Sequence, residues 1–152
     1  MNIREIKLID YFAKNQDAVP FLDRLIKEWK KNEKIIIACD YDDTIKNWGL
    51  HLSCQRAIDV IREAQAVGAY LTIWTASDYT EREGSIRSYC EANGLRIDSI
   101  NKNPIDLPFG HHGKIYANIF IDDRAGLNEA LAILEYATIL QSRYNEETNT
   151  GS

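Results

Sequence analysis

The stretch KIIIACDYDDTI, Lys34 to Ile45, decides how the rest of this chain is read. Its first half is a short apolar run rich in β-branched residues, without the alternation of a half-exposed strand. Such a run suits a central parallel strand covered on both faces. Its second half places Asp40, Asp42 and Asp43 within four residues. Three carboxylates leaving a buried strand repel one another, and a bound cation is the most economical way to neutralise them.

Outward from this stretch the chain alternates. Residues 3 to 14 and 17 to 32 carry apolar positions at helical spacing (Ile6, Ile9, Tyr11; Phe21, Leu22, Leu25, Ile26, Trp29), with Pro20 tolerated in a first turn. Beyond the aspartates, Ser53 is placed to cap a helix that runs to about Val67 and stops at Gly68. Ala69 to Thr75 reads as a second buried strand, and Thr80 to Ala92 as a helix ending at Asn93-Gly94. Arg96 to Asn101 is a third strand segment, Ile115 to Asp123 a fourth, and Leu127 to Tyr144 a last helix. Strands alternating with helices imply an α/β fold: an open parallel sheet, Rossmann-like, in three layers with helices on both faces.

At 152 residues and 45% hydrophobic, the chain is one domain able to bury a core. Residues 1–34 form leading helices, 35–144 the core that carries the chemistry, and 145–152 a frayed polar tail. A net charge of -5 without a Lys/Arg-rich block makes nucleic acid an unexpected partner. No apolar run spans a bilayer and Met1 to Asp10 lacks the order of a secretion signal, so the expected location is cytoplasmic, without a membrane partner. Cys39, Cys54 and Cys90 are too few and too scattered for a disulfide framework or a zinc site and read as reduced structural thiols.

In open parallel sheets ligands bind beyond the carboxyl ends of the strands. Asp40, Asp42 and Thr44 stand there after the first strand, Thr75 and Ser77 after the second, and Asp122 and Asp123 after the fourth. Carboxylates from two strands converging on one crevice make an all-oxygen site, suited to Mg2+ rather than to zinc or copper.

These residues resemble the haloacid dehalogenase superfamily, whose signature is an apolar strand ending in Asp-x-Asp-x-Thr, here DYDDT (Asp40 to Thr44). An apolar strand ending in Thr (LTIWTAS, Thr75), a lone lysine (Lys114) and an apolar strand ending in paired acids (IFIDD, Asp122 and Asp123) follow in the family's order. The resemblance implies a Mg2+-dependent phosphohydrolase. In it Asp40 is the nucleophile that becomes an aspartyl-phosphate, and Asp42 the acid and then the base. Thr75, with Ser77 nearby, and Lys114 contact the phosphoryl group, while Asp40, Asp42 (through its backbone carbonyl), Asp122 and Asp123 hold Mg2+. Lys102, in NKNP, is the competing choice for the lysine, and Asp43 stands where many members have Gly.

Family specificity is set largely by inserted cap domains. Asp40 and Thr75 are 35 positions apart and Thr75 and Lys114 are 39 apart, too few for a domain with its own core, so the chain resembles the capless class. The loop Lys46 to Leu52 then forms a small flap, with Trp48 either stacking on a leaving group or packing beneath it. His111 and His112 read as exposed loop residues rather than ligands. The expected partner is a small phosphorylated metabolite such as a nucleotide or sugar phosphate. The leading helices offer their apolar residues to the core or to a homo-oligomer face. Two other classes fit the same fold: a receiver-like phosphoacceptor and a catalytically idle phosphate-binding module.

Overall fold

The computed structural model describes residues 1–49, 54–110 and 112–150. Two helices, α1 (Ile3–Lys14) and α2 (Val19–Asn32), precede strand β1 (Ile35–Cys39); then come α3 (Cys54–Ala66), β2 (Ala69–Ile73), α4 (Tyr79–Ala92), β3 (Ser99–Ile100), β4 (Ile119–Ile121) and α5 (Leu127–Thr150). The strands form one parallel sheet in the order β3-β2-β1-β4, with β1 inside as its unbroken apolar run requires. Neither connection that leads to β2 or β3 carries a second unit among the described residues. No described helix is long and apolar enough to cross a membrane. The cap expected at Ser53, the end of the flap, His111 and the last two residues lie outside the described residues.

The two faces of the sheet are covered differently. Ile35, Ile37 and Cys39 share a face with Leu71, Ile73, Ile100 and Ile121, and all five helices contribute apolar residues to the core built on this face, among them Phe12, Trp29, Ile61, Ile86 and Leu134, with α1 packed on α5. Ile36 and Ala38 are equally buried but stand outside that cluster. On their side Thr72 and Ser99 donate their hydroxyls to the Lys102 carbonyl (2.9 and 2.6 Å), and Lys114 lies over Phe120. The third layer is therefore the irregular segment 101–118, which contains no helix among its described residues, and the expectation of helices on both faces is corrected to helices on one.

Side chains that imitate backbone account for the short outer strands. Asn118 gives its backbone N–H to Ile36 and takes the Ile36 N–H on its own side-chain oxygen (2.7 Å), so the ladder beside β1 starts at a side chain and β4 proper begins at Ile119 rather than at Ile115. In the same way the Asp98 carboxylate takes the Leu71 N–H, and Asn101, at φ +54°, ends β3. The last helix runs on through residues 145–150, where a frayed tail was expected: Thr148 and Thr150 return their hydroxyls to the carbonyls of Tyr144 and Glu146, one turn back. All three cysteines are buried and none is in a disulfide.

Candidate active site

Register brings the acids together. Cys39 of β1 pairs with Ile121 of β4, so Asp40 and Asp122 leave neighbouring parallel strands side by side, and the Asp40 N–H donates to the Ile121 carbonyl (2.9 Å). Carboxylate oxygens of Asp40, Asp122 and Asp123 lie within 4.8 Å of one another, each half-buried. The turn after β1 completes this group. The Tyr41 carbonyl accepts the N–H groups of Ile45 and Lys46 (both 3.0 Å), which folds the chain back and buries Thr44 completely. The Thr44 hydroxyl lies 3.0 Å from Asp123 Oδ1 and 3.3 Å from Asp40 Oδ2, and it accepts the Asp123 N–H. Asp43 takes the left-handed conformation this turn needs (φ +59°), which a short polar residue tolerates where glycine would also serve. Its carboxylate points to the flap and accepts the Trp48 N–H.

The electrostatics follow from the crowding. Burial, a hydrogen bond with Asp123 and the neighbouring negative charges push the Asp40 carboxyl up to about 7. Burial acts upward on Asp123 too, but the hydrogen bonds from Thr44 and Asp40 outweigh it and hold Asp123 below the ordinary carboxylate value. Three oxygen donors of like charge, one of them holding its proton near neutrality, are a donor set that fits a hard divalent cation.

Asp42 faces elsewhere. Arg82, at the end of the first turn of α4, grips its carboxylate with a two-pronged contact (Nη1 to Oδ2 3.0 Å, Nη2 to Oδ1 2.7 Å), and Trp48 Nε1 donates to Oδ1 (3.0 Å). The Arg82 hydrogen bonds hold the Asp42 carboxyl below its usual range. Its carboxylate is thus not among the clustered oxygens of Asp40, Asp122 and Asp123, so any share of Asp42 in metal binding falls to its backbone. Thr75 and Ser77 join this side of the crevice: their hydroxyls lie 2.9 Å apart, and Arg82 Nη1 donates to Ser77 Oγ (2.7 Å). Asn101 sets the end of β2 by accepting the Thr75 N–H (2.8 Å) and donating to the Thr75 carbonyl (2.9 Å).

Neither lysine joins. The Lys114 ammonium is exposed, 5.7 Å from the Phe120 ring centre, and Lys102 serves through its backbone carbonyl. Among the described residues neither forms an ion pair with Asp40, Asp122 or Asp123. His112 is exposed, as expected of a loop residue. A groove of about 830 Å3 lies away from the aspartates, between α1, α3 and α5, lined in part by Tyr11, Arg56 and Glu135. Sequence reasoning missed Arg82 and Asn101. An acid-rich strand end calls for a nearby cation, but nothing in the spacing selects an arginine forty positions on. Comparison with family models, with curated proteins and with solved structures finds no match to this chain.

Proposed function

We propose that this chain is a Mg2+-dependent phosphohydrolase of the haloacid dehalogenase type, cleaving a phosphate monoester through an aspartyl-phosphate. The observation that carries the reading is the convergence of Asp40, Asp122 and Asp123 at one end of the sheet, with their oxygens within 4.8 Å of one another. The Thr75 and Ser77 hydroxyls beside Asp42 support it. Asp40, Asp122 and Asp123 would hold Mg2+, whose charge stabilises the anionic oxygens of the transferring group.

In the first step the Asp40 carboxylate attacks phosphorus, the bond to the leaving oxygen breaks, and Asp42, which takes up a proton once it is free of Arg82, gives that proton to the leaving oxygen. In the second, Asp42 takes a proton from water as the water attacks phosphorus; the acyl-phosphate bond breaks, releasing inorganic phosphate and restoring Asp40. Thr75 donates to a phosphoryl oxygen. Thr44 keeps Asp40 and Asp123 in place by bonding to both. Lys114 and Lys102 stand outside the contacts that carry this reading. The expected substrate is a small metabolite such as a nucleotide or sugar phosphate, ahead of a macromolecule.

The test is phosphate release from a panel of nucleotides, sugar phosphates and phosphopeptides, with Mg2+ and with EDTA. Release from at least one monoester, abolished by EDTA, is expected. Full release in metal-free buffer defeats the assignment, and a phosphorylated protein that accumulates without turnover identifies a phosphoacceptor instead.

A further inference from the structure

Arg82 makes contacts that a surface ion pair does not need. Its guanidinium reaches across the crevice from α4 to Asp42, 40 positions earlier, and meets both carboxylate oxygens in the planar fork that guanidinium groups offer to carboxylates and phosphates alike. The same Nη1 reaches Ser77 Oγ, which bonds to Thr75 Oγ1, and the Trp48 indole N–H comes to the carboxylate from the flap. The guanidinium and the indole N–H therefore hold one anionic group, and a chain of two hydroxyls adjoins the guanidinium. The Arg82 and Asp42 side chains remain 31% and 37% exposed, so the pair is open to solvent. An isolated exposed pair adds little stability, typically up to about 1 kcal/mol, which gives this pair little structural purpose by itself.

We propose that Arg82, with Ser77, is the receptor for the substrate's anionic phosphoryl group, and that this group and the Asp42 carboxylate compete for the same fork. Charge and shape both favour it. A phosphoryl group offers three oxygens and up to two negative charges where the carboxylate offers two oxygens and one. The site also needs a cation on its substrate side, and among the described residues Lys114 and Lys102 make no ion pair with its carboxylates. When the phosphoryl group takes the fork, Asp42 is released within the crevice. The identity of the anion rests on the phosphohydrolase reading; the competition at the fork does not.

Inorganic phosphate is the probe, titrated by calorimetry in Mg2+ buffer into the unaltered chain and into Arg82→Gln, Arg82→Lys, Asp42→Asn and the Arg82→Gln/Asp42→Asn double variant, each first checked for folding by thermal melting. Arg82→Gln is expected to weaken phosphate binding roughly tenfold or more, and Arg82→Lys, which keeps the charge but not the fork, by less. Asp42→Asn removes the competitor and is expected to tighten binding several-fold, a gain that disappears in the double variant. With a turned-over ester, Arg82→Gln raises KM more than it lowers kcat. No measurable phosphate binding, unchanged affinity in a folded Arg82→Gln, or an equal Asp42→Asn gain with and without Arg82 each overturns the receptor. Arg82-dependent phosphate binding with no ester hydrolysed overturns the phosphohydrolase reading alone, and hydrolysis with KM unchanged in Arg82→Gln overturns the receptor alone.

Discussion

Asp40 and Asp42 are two residues apart and have opposite surroundings. Asp40 is crowded by Asp122 and Asp123 and titrates near 7, whereas Asp42 is held as a carboxylate by Arg82. The proposed chemistry asks for the reverse, Asp40 ionised to attack and Asp42 protonated to donate, so a cation beside Asp40 and release of Asp42 from Arg82 belong to it, and a direct experiment with para-nitrophenyl phosphate follows. Asp40→Asn removes the nucleophile, so turnover and the covalent adduct should both vanish. Asp42→Asn should lower turnover by about 10²–10⁴, yet this leaving group departs with little protonation, so phosphoenzyme should accumulate and be visible by intact-mass spectrometry after acid quench. An adduct on Asp40→Asn, or one mapped to another residue, removes Asp40 from its role. At this scale the sequence was informative wherever the chemistry sits at a strand end. Asp40, Asp122 and Asp123 come together because parallel register makes strand ends neighbours. Lys114 was less legible, since a loop residue's direction depends on how segment 101–118 lies across the sheet, and that is set by hydrogen bonds from residues such as Thr72 and Ser99.

Between elements, short polar side chains act as joints. Asn101 ties the end of β2 to the end of β3 through both ends of its amide, and does so from a left-handed conformation. Asn101→Ala loses the clamp on the buried Thr75 backbone and is strained at φ +54°; a loss of roughly 1–3 kcal/mol of stability is expected. Asn101→Gly loses the clamp but not the backbone freedom, so denaturant melts should place it between the parent and Asn101→Ala. An Asn101→Ala variant as stable as the parent would show the clamp to be without weight. These joints explain which elements were readable. β1, β2 and the five helices announce themselves through apolar periodicity. β3 and β4 shrink because Asp98, Asn101 and Asn118 substitute side-chain groups for backbone ones, which no periodicity records. The extension of α5 past Tyr144 was hidden for a related reason: polar residues supply its last turns with bonds of their own.

For the molecule as a whole, the acidic cluster links stability to pH and to metal. The Asp40 carboxyl is raised from 3.8 to about 7 on folding, so between these values the folded chain binds more protons than the unfolded one, and stability from this group falls as pH rises through the window. Asp123, held low, acts oppositely, adding stability that is lost only in acid as pH falls through its own lowered value. From pH 5 to pH 8 in EDTA, the Asp40 contribution should therefore lower Tm. Mg2+ needs the carboxylates deprotonated, so it should raise Tm by several degrees more at pH 8 than at pH 5. An equal rise at both values, or none, would remove the cation from this cluster. α1 and α2 emerge before α5, yet Leu8, Phe12, Leu22, Leu25 and Trp29 share their core with α5, and Arg4 and Glu5 find Glu135 and Arg143 on that helix. During translation α1 and α2 must wait, greasy faces bare, for α5, and a ribosome that stalls before α5 releases a polypeptide that chaperones have reason to hold.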